Sequence, residues 1–345
     1  MLTEATLEHI LTRIPRLTLG VVGDLFLDRY LDIDPGLSEP SLETGLDAYQ
    51  VVRVRSSPGA AGTVINNLAA LGVGRVIVVS VVGDDGEGYE LGQALSALGV
   101  VESRHILGDP SRRTPTYAKP MLLEDGRPGR ELNRLDIKNR MPLPTVMESR
   151  AVAALKEVWP MVDGLLVQDQ VSEAGCGVIT ARVRQVLAEL GEANPGKFIL
   201  ADSRERIGLF QSVWLKPNSA ECQSAVGEAG PGSDAALKLA HKTGRPVFCT
   251  QGEKGIWVVD PRPGGGPPTH VPAYPVTGPV DIVGAGDSTS AGIACAVAAG
   301  ANLPEAAAFG NLVASITIQQ IGTTGTANPE QVRRRWREIA AKLPP

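Results

Sequence analysis

Residues 281–300, DIVGAGDSTSAGIACAVAAG, combine the residue types that can hold an anion and move a proton. A strand-like lead-in meets Gly284-Ala285-Gly286-Asp287, and a helix of small residues follows. Small residues let backbone N–H groups approach an anion closely, and a helix N-terminus adds partial positive charge. That charge is worth about 0.3–1 kcal/mol at an exposed site, and more against a transition state from which water is excluded. Asp287 stands at the mouth of this turn, placed to take a proton from a hydroxyl. The alternative reading makes Asp287 a helix N-cap, for which aspartate is among the preferred residues, and leaves the glycines as an ordinary turn.

The elements that must position this turn follow from the apolar pattern. Strand candidates lie at 17–23, 75–83, 164–168, 197–202, 212–217 and 246–252, with helix candidates at 60–71, 87–98, 174–191 and 233–243. Alternating strands and helices of this kind predict a mainly parallel sheet with helices on both faces, an α/β fold. The continuous apolar strands suit a sheet buried on both sides. Residues 46–56 and 114–136 break the rhythm, alternating apolar and polar residues around turn signals such as Asp125-Gly126. They read as half-exposed antiparallel strands in a small second layer, a lid. PRPGGGPP at 261–268 reads as the tip of a hairpin between strands at 255–260 and 269–273. The last helix begins at Asn328, with Pro329 in its first turn and Gln331 three residues on. The first residues read as a short amphipathic helix rather than a secretory signal.

Composition narrows the class. The 345 residues are 43% hydrophobic but only 4% aromatic, so aliphatic side chains and alanine must fill the core. No apolar run approaches the roughly 20 residues of a membrane span. A net charge of −5 with both signs interspersed gives no sign of a nucleic-acid groove or a membrane-binding patch. Cys176, Cys222, Cys249 and Cys295 lie far apart and read as buried free thiols of a cytoplasmic protein. The histidines are equally scattered, which argues against a histidine metal site. A nicotinamide-dependent oxidoreductase fails because the first strand is not followed by G-x-G-x-x-G.

With these segments in order, the chain resembles the ribokinase-like (PfkB) sugar kinases over nearly its whole length. GAGD at 284–287 matches that family's C-terminal signature, LKPNSAEC at 215–222 its N-x-x-E element, and TQGEKGIWVV at 250–259 its nucleotide-site strands. VVGDDGEGYELGQALSALGV at 81–100 is similar to its G-x-D-x-x-G stretch. VVGDLFLDRYLDID at 21–34 resembles the opening of heptose-7-phosphate kinases, and 112–120 and 130–139 are similar to that subgroup as well.

The resemblance implies one ribokinase-like three-layer α/β/α domain over 1–345, with the lid near 46–56 and 114–136. It implies that Asp287 is the catalytic base and that Gly284, Ala285 and Gly286 form the anion hole. Asp28 takes the sugar-binding place at the first strand's end, with Asp24, Gly59, Thr63, Asn67 and Arg134 beside the acceptor; Asp24 and Asp28 read alternatively as turn and cap residues. Asn218 and Glu221 are implied in organising Mg2+, through water, and the phosphates of ATP. Thr250, Gly252 and Gly255 line the nucleotide site, with adenine against the helix around Asn311. Arg112, Arg113, Lys119 and Arg134 are candidates for a phosphate already on the acceptor, because a guanidinium can donate two parallel hydrogen bonds. Lid pairing in this family implies a homodimer.

The chain departs from the pattern in three places. Gly59-Ala60 stands where a glycine pair is usual, and Thr63 or Val64 where an asparagine is frequent. Asp281-Ile282-Val283 lacks a threonine hydroxyl before GAGD, which weighs against a monovalent-cation site. Asp169-Gln170 replaces the D-Y of heptose kinases. The acceptor is accordingly a heptose phosphate, or another sugar, fructose phosphate or nucleoside. A protein that binds sugar phosphate without turnover is the competing class.

Overall fold

A computed structural model describes residues 2–124, 127–227, 232–322 and 324–341 of the chain. In chain order the strands begin with β1 (Thr18–Gly23), β2 (Leu25–Pro40), β3 (Asp47–Ala60), β4 (Arg75–Gly83) and β5 (Val101–Asp109). They continue with β6 (Thr116–Glu124), β7 (Arg127–Glu131), β8 (Leu135–Ile137), β9 (Gly164–Asp169) and β10 (Ile199–Ser203). The last four are β11 (Trp214–Leu215), β12 (Val247–Thr250), β13 (Ile256–Val259) and β14 (Thr269–Val271). The helices are α1 (Glu4–Arg13), α2 (Ala61–Ala70), α3 (Gly86–Ser96), α4 (Thr145–Val158) and α5 (Ala181–Ala193). They are followed by α6 (Ser219–Val226), α7 (Gly232–Thr243), α8 (Ala285–Ala298), α9 (Leu303–Thr317) and α10 (Pro329–Ala340).

The larger sheet runs β14-β13-β12-β11-β10-β9-β1-β4-β5. It is parallel from β5 to β12, and β13 and β14 add an antiparallel hairpin at the edge. Both faces are buried by helices. One core gathers α1, α2, α3, α8, α9 and α10, with Leu68, Leu166, Leu200 and Phe309 at its centre. The other gathers α4 to α7 around Leu155, Leu187, Val167 and Leu215. Each fully buried aliphatic or aromatic side chain contributes about 1.5–3 kcal/mol, so the strand pattern read from sequence dominates the energetics. Helices α8 and α9 approach closely because Gly292 faces Gly310; a Cβ on Gly292 would stand 2.9 Å from Gly310 Cα. Capping boxes at Asn302/Glu305 and Asn328/Gln331 set the starts of α9 and α10.

The lid is the second sheet, ordered β3-β2-β6-β7, with β8 paired to β6. It corrects three expectations. Its central strand is β2, sixteen residues long, so Asp28 lies inside a lid strand and not at the end of the first sheet strand. The lid is mixed, because β2 and β6 are parallel while β2–β3, β6–β7 and β6–β8 are antiparallel. The 46–56 strand extends to Ala60, whose backbone takes φ +54° as the chain turns into α2. The turn expected at 125–126 lies outside the described residues.

Elsewhere the expected helix from 174 starts only at Ala181, where the Thr180 hydroxyl accepts from Val183 N at 3.2 Å. The strand expected at 212–217 pairs over Trp214–Leu215 alone, bounded by Ser212 at φ +57° and by Pro217, which has no N–H for the ladder. Residues 281–283 form no strand; Ile282 and Val283 are exposed. All four cysteines are buried and free. Among the described residues no helix is long and apolar enough to cross a membrane.

Candidate active site

The glycine turn does what its residue types allow. Gly284 takes the left-handed conformation, φ +79°, and a Cβ there would meet Thr324 Cγ2 at 2.9 Å and Thr63 Cγ2 at 3.3 Å. Only glycine permits both the conformation and the approach. Ala285 opens α8, so the N–H groups of 284–286 sit at a helix start where they lack intrahelical partners. Asp287 is the third residue of α8 and makes no capping bond, which overturns its reading as an N-cap. Its carboxyl is pushed up to about 7, first by burial and then by the charge of Asp202; Lys216 and Arg204 pull the other way, and Asp28 adds to the rise. A carboxylate poised near neutrality suits a general base.

Beneath this turn lies a charged layer at the C-terminal ends of the parallel strands, the usual place for a site in an open α/β sheet. Lys216, directly after β11, points its Nζ at Asp202 Oδ2 of β10, 2.8 Å away, and both residues are buried. Burial opposes the Lys216 charge, but Asp202, Glu221 and Asp287 together hold its proton more firmly than in water. A Cβ on Gly286 would come within 3.7 Å of the same Nζ, so this ammonium lies under the anion turn. Arg204 donates from Nε to Gln170 Oε1 at 2.8 Å. Asp169 is held by Arg206, at 2.7 Å, and by the Ser203 hydroxyl. The Asp169-Gln170 pair therefore orients two arginines, the physical account that the sequence alone lacked. Asp202, Lys216 and Arg204 were missed in the sequence, and Gln170 was noted there only as a departure without a role. Their signal was position, since each lies at or just beyond the C-terminal end of a parallel strand.

On the lid side, Asp28 lies buried in β2, in register with Ser57 and Tyr117, with Lys119 Nζ 3.2 Å from its Oδ1. A Cβ on Gly59 would stand 2.9 Å from Asp28 Oδ2, which explains the glycine at that place. Thr63 is buried against the Gly284 turn and so joins the lid base to the anion turn. Asp24 does not face outward. Its two oxygens accept from Val178 N at 2.7 Å, Gln170 N at 2.8 Å and Val171 N at 3.0 Å, which fixes the loop after β9. Burial and Asp169 nonetheless push its carboxyl up to about 6.

Asn67 is corrected: it is fully buried, its amide bonded to Thr63 O at 2.9 Å, whereas Asn66 reaches Pro58 O at the lid base. Arg134 is forked onto Asp136 at 2.6 and 2.9 Å and lies over the Tyr117 ring. The G-x-D-x-x-G stretch ties the start of α3 to the segment entering β6. Asp85 caps α3 through Gly88 N and also accepts from Thr114 N and its hydroxyl, tying the lid's entry to the body.

On the nucleotide side, Asn218 and Glu221 form a capping box that starts α6, with bonds of 2.9 and 2.7 Å. Burial, then the Asp202 charge, outweighs the Asn218 amide, Lys216 and Arg204 and holds the Glu221 proton more firmly than usual. Asn218 bridges to Thr250, bringing two of the expected nucleotide residues side by side. Gly252 and Gly255 have φ +57° and +102°; a Cβ on Gly255 would lie 2.1 Å from Val271 O. Asn311 Nδ2 donates to Val271 O and Pro272 O, pinning the hairpin to α9. Among the described residues no three His, Cys, Asp or Glu side chains stand close enough to cage a metal ion. The oxygen donors present, carboxylates and an amide, are nevertheless the type that suits magnesium when water and phosphate complete its shell.

A parallel sheet between two helical layers, with a strand lid over the C-terminal ends of its strands, defines the ribokinase-like fold class. The sequence profile of the pfkB family of carbohydrate kinases matches residues 205–331. Among curated proteins it is 32% identical over 331 residues to the bifunctional protein HldE of Bradyrhizobium sp. (strain ORS 278), covering 93% of this chain and 64% of that protein. It is 31% identical to the HldE of Azotobacter vinelandii, over 94% of this chain and 65% of that one. The chain thus spans just under two thirds of these relatives. Among solved structures it is similar in fold to Thermotoga maritima ribokinase (TM-score 0.65, 21% identity, 93% of this chain and 99% of that one). Arabidopsis thaliana ribokinase complexed with ribose and ATP is comparable (TM-score 0.65, 19% identity, 92% and 98%).

Proposed function

We propose that this sugar kinase moves the γ-phosphoryl group of ATP to a hydroxyl of a sugar phosphate, with a heptose 7-phosphate as the acceptor that the GDLFLDRY motif favours. The observation that carries the reading is Asp287: a carboxyl held at about 7, in the first turn of α8 where N–H groups lack intrahelical partners, and within electrostatic reach of Asp28. Asp28 accepts hydrogen bonds from acceptor hydroxyls and turns one of them toward Asp287. Asp287 takes that hydroxyl's proton as its oxygen bonds to the γ-phosphorus; the bond from that phosphorus to the β–γ bridging oxygen breaks and ADP leaves. The N–H groups of 284–286 and the Lys216 ammonium meet the charge on the transferring group, so the reaction relies on positioning and electrostatics. Mg2+, when bound, would neutralise phosphate charge, held through water by Glu221 and Asn218. Thr250, Gly252, Gly255 and Asn311 frame the adenine side.

The same reading makes the whole chain one kinase unit. Four buried free thiols support a reducing, cytoplasmic setting. Tyr49, Val51, Val52 and Val54 are exposed on β3, an edge strand, which supports a homodimer formed through the lid. An ATP-consumption screen over sugars and sugar phosphates tests the proposal. ADP formation with a phosphorylated acceptor is the expected result, and no turnover of any acceptor with saturating Mg–ATP overturns it.

A further inference from the structure

Two cations act on both Asp287 and Glu221: the Lys216 ammonium and the Arg204 guanidinium. They are held in different ways. Lys216 is compensated, with its Nζ 2.8 Å from Asp202 Oδ2. Arg204 has a neutral partner: its Nε donates to Gln170 Oε1 at 2.8 Å, and among the described residues it forms no ion pair. The nearby Arg206 shows the alternative. Its guanidinium is forked onto Asp169 and donates to the carbonyls of Val171 and Ser172, so its charge and its donors are used inside the protein.

The backbone aims Arg204 at the site. The Ser203 hydroxyl donates to Asp169 Oδ2 at 2.7 Å, so Asp202 and Arg204, on either side of it, share the opposite face of the sheet. Arg204 N donates to Asp169 O at 3.3 Å, which carries the strand pairing one residue past β10. Asp202 marks where that face looks: its Oδ2 lies 3.5 Å from Ser290 Oγ of α8 and meets Lys216 beneath the anion turn. Arg204 and Glu221 also line one cavity of about 200 Å³, so the guanidinium has room to reorient. An arginine carries five N–H donors, and the Gln170 bond uses the one on Nε. Gln170 is itself fixed. Its N donates to Asp24 Oδ2 at 2.8 Å and its Nε2 to Gln168 Oε1 at 3.3 Å, which turns Oε1 toward Arg204.

Resting on the kinase reading above, we infer that Arg204 is a catalytic residue whose Nη groups donate to non-bridging oxygens of the transferring phosphoryl group, and that Gln170 is the residue that positions it. A planar guanidinium can give two phosphoryl oxygens two parallel hydrogen bonds. The need for it follows from the local charges. Asp287, Asp202 and Glu221 bring three carboxyl groups around an anionic reactant, and the charge of Lys216 is balanced by Asp202. An amide partner suits Arg204, because it orients the guanidinium without neutralising it.

The test compares wild type, Arg204→Ala, Arg204→Lys and Gln170→Leu at pH 9, well above the Asp287 value of about 7, so that the base is ionised. Removing one donor to a transition-state anion costs about 10²–10³ in kcat, so Arg204→Ala should lose that factor while KM for the acceptor holds. Arg204→Lys should keep part of the activity, and guanidinium ion added to Arg204→Ala should restore part of it. Gln170→Leu should lower kcat in the wild-type background and change nothing in Arg204→Ala, since it acts through that side chain. Unchanged kcat in Arg204→Ala, or a loss that neither lysine nor guanidinium reduces, overturns the inference and leaves the kinase standing. Independent losses in the double variant overturn the role of Gln170.

If no acceptor is turned over, the function proposed above fails, and calorimetry with nucleotides decides Arg204 by itself. A hydrogen bond to a charged group is worth about 1.5–3 kcal/mol, so Arg204→Ala should bind the β,γ-imido analogue of ATP about 10- to 150-fold more weakly and ADP as before. Equal losses for both nucleotides, no loss for either, or no binding by wild type overturns it.

Discussion

Lys216 Nζ and Asp202 Oδ2 meet at 2.8 Å beneath the N-terminus of α8, a buried ion pair directly under the turn that carries Asp287. Neither residue is an obvious catalytic group in the sequence, yet both bear on Asp287: Asp202 raises its proton affinity and Lys216 lowers it. Removing one partner of a buried pair strands the other charge and costs about 3–5 kcal/mol. Lys216→Met should lose stability of that order in urea titration. It should also shift the pH midpoint of kcat/KM upward, because an influence that lowers the Asp287 value is gone. A variant of native stability with an unmoved midpoint would take Lys216 out of the site.

Asp287→Asn should lower kcat by about 10²–10⁴-fold, the range for a positioned general base, with ATP binding intact. In wild type, kcat/KM should fall as pH drops through about 7, where the carboxylate takes its proton. Stability carries the opposite sign. The folded value lies above the ordinary carboxylate value of 3.8, so the native state holds the extra proton between about pH 4 and pH 7. Stability from this group is full below pH 4 and is lost as pH rises through 7. Asp287→Asn should therefore gain melting temperature relative to wild type at pH 8 and not at pH 4. Thermal melts at the two pH values read this directly.

Gly59→Ala places a methyl 2.9 Å from Asp28 Oδ2 and must displace the carboxylate or the strand. The KM for the acceptor should rise by tenfold or more while the KM for ATP stays level. Equal changes in both would mean that Asp28 is not the acceptor's anchor.

Glu221→Gln keeps a side chain that can complete the capping box with Asn218, so melting temperature should change little. It removes the charge, so the magnesium concentration for half-maximal activity should rise. Unchanged magnesium dependence would leave Glu221 with a purely structural role at the start of α6.

The exposed β3 valines predict self-association. Val54→Lys should shift the sedimentation coefficient from dimer to monomer at micromolar concentration with the fold intact by circular dichroism. A wild-type chain already monomeric under those conditions removes the lid dimer.

Much of this was legible in one dimension because it depends on local chemistry. Continuous aliphatic runs specify buried parallel strands, the 284–287 glycines specify a turn that only glycine permits, and Asn328 with Gln331 specifies a helix start. The segments 81–100, 215–222, 250–259 and 281–300 carry the resemblance to carbohydrate kinases in their local chemistry. What only the tertiary structure decided were relationships between distant residues of ordinary type. The sequence does not say that Lys216 lies on Asp202, that Asp24 serves three backbone amides of the 170–178 loop, or that Asn67 faces inward while Asn66 faces the lid. Nor does it say that Arg112, Arg113, Lys119 and Arg134 are each engaged by partners of their own. A charged side chain in a list is one charge among many, since exposed charges are screened and interchangeable. Burial lowers the local dielectric and fixes the partners, and only then does a particular lysine or aspartate acquire a role.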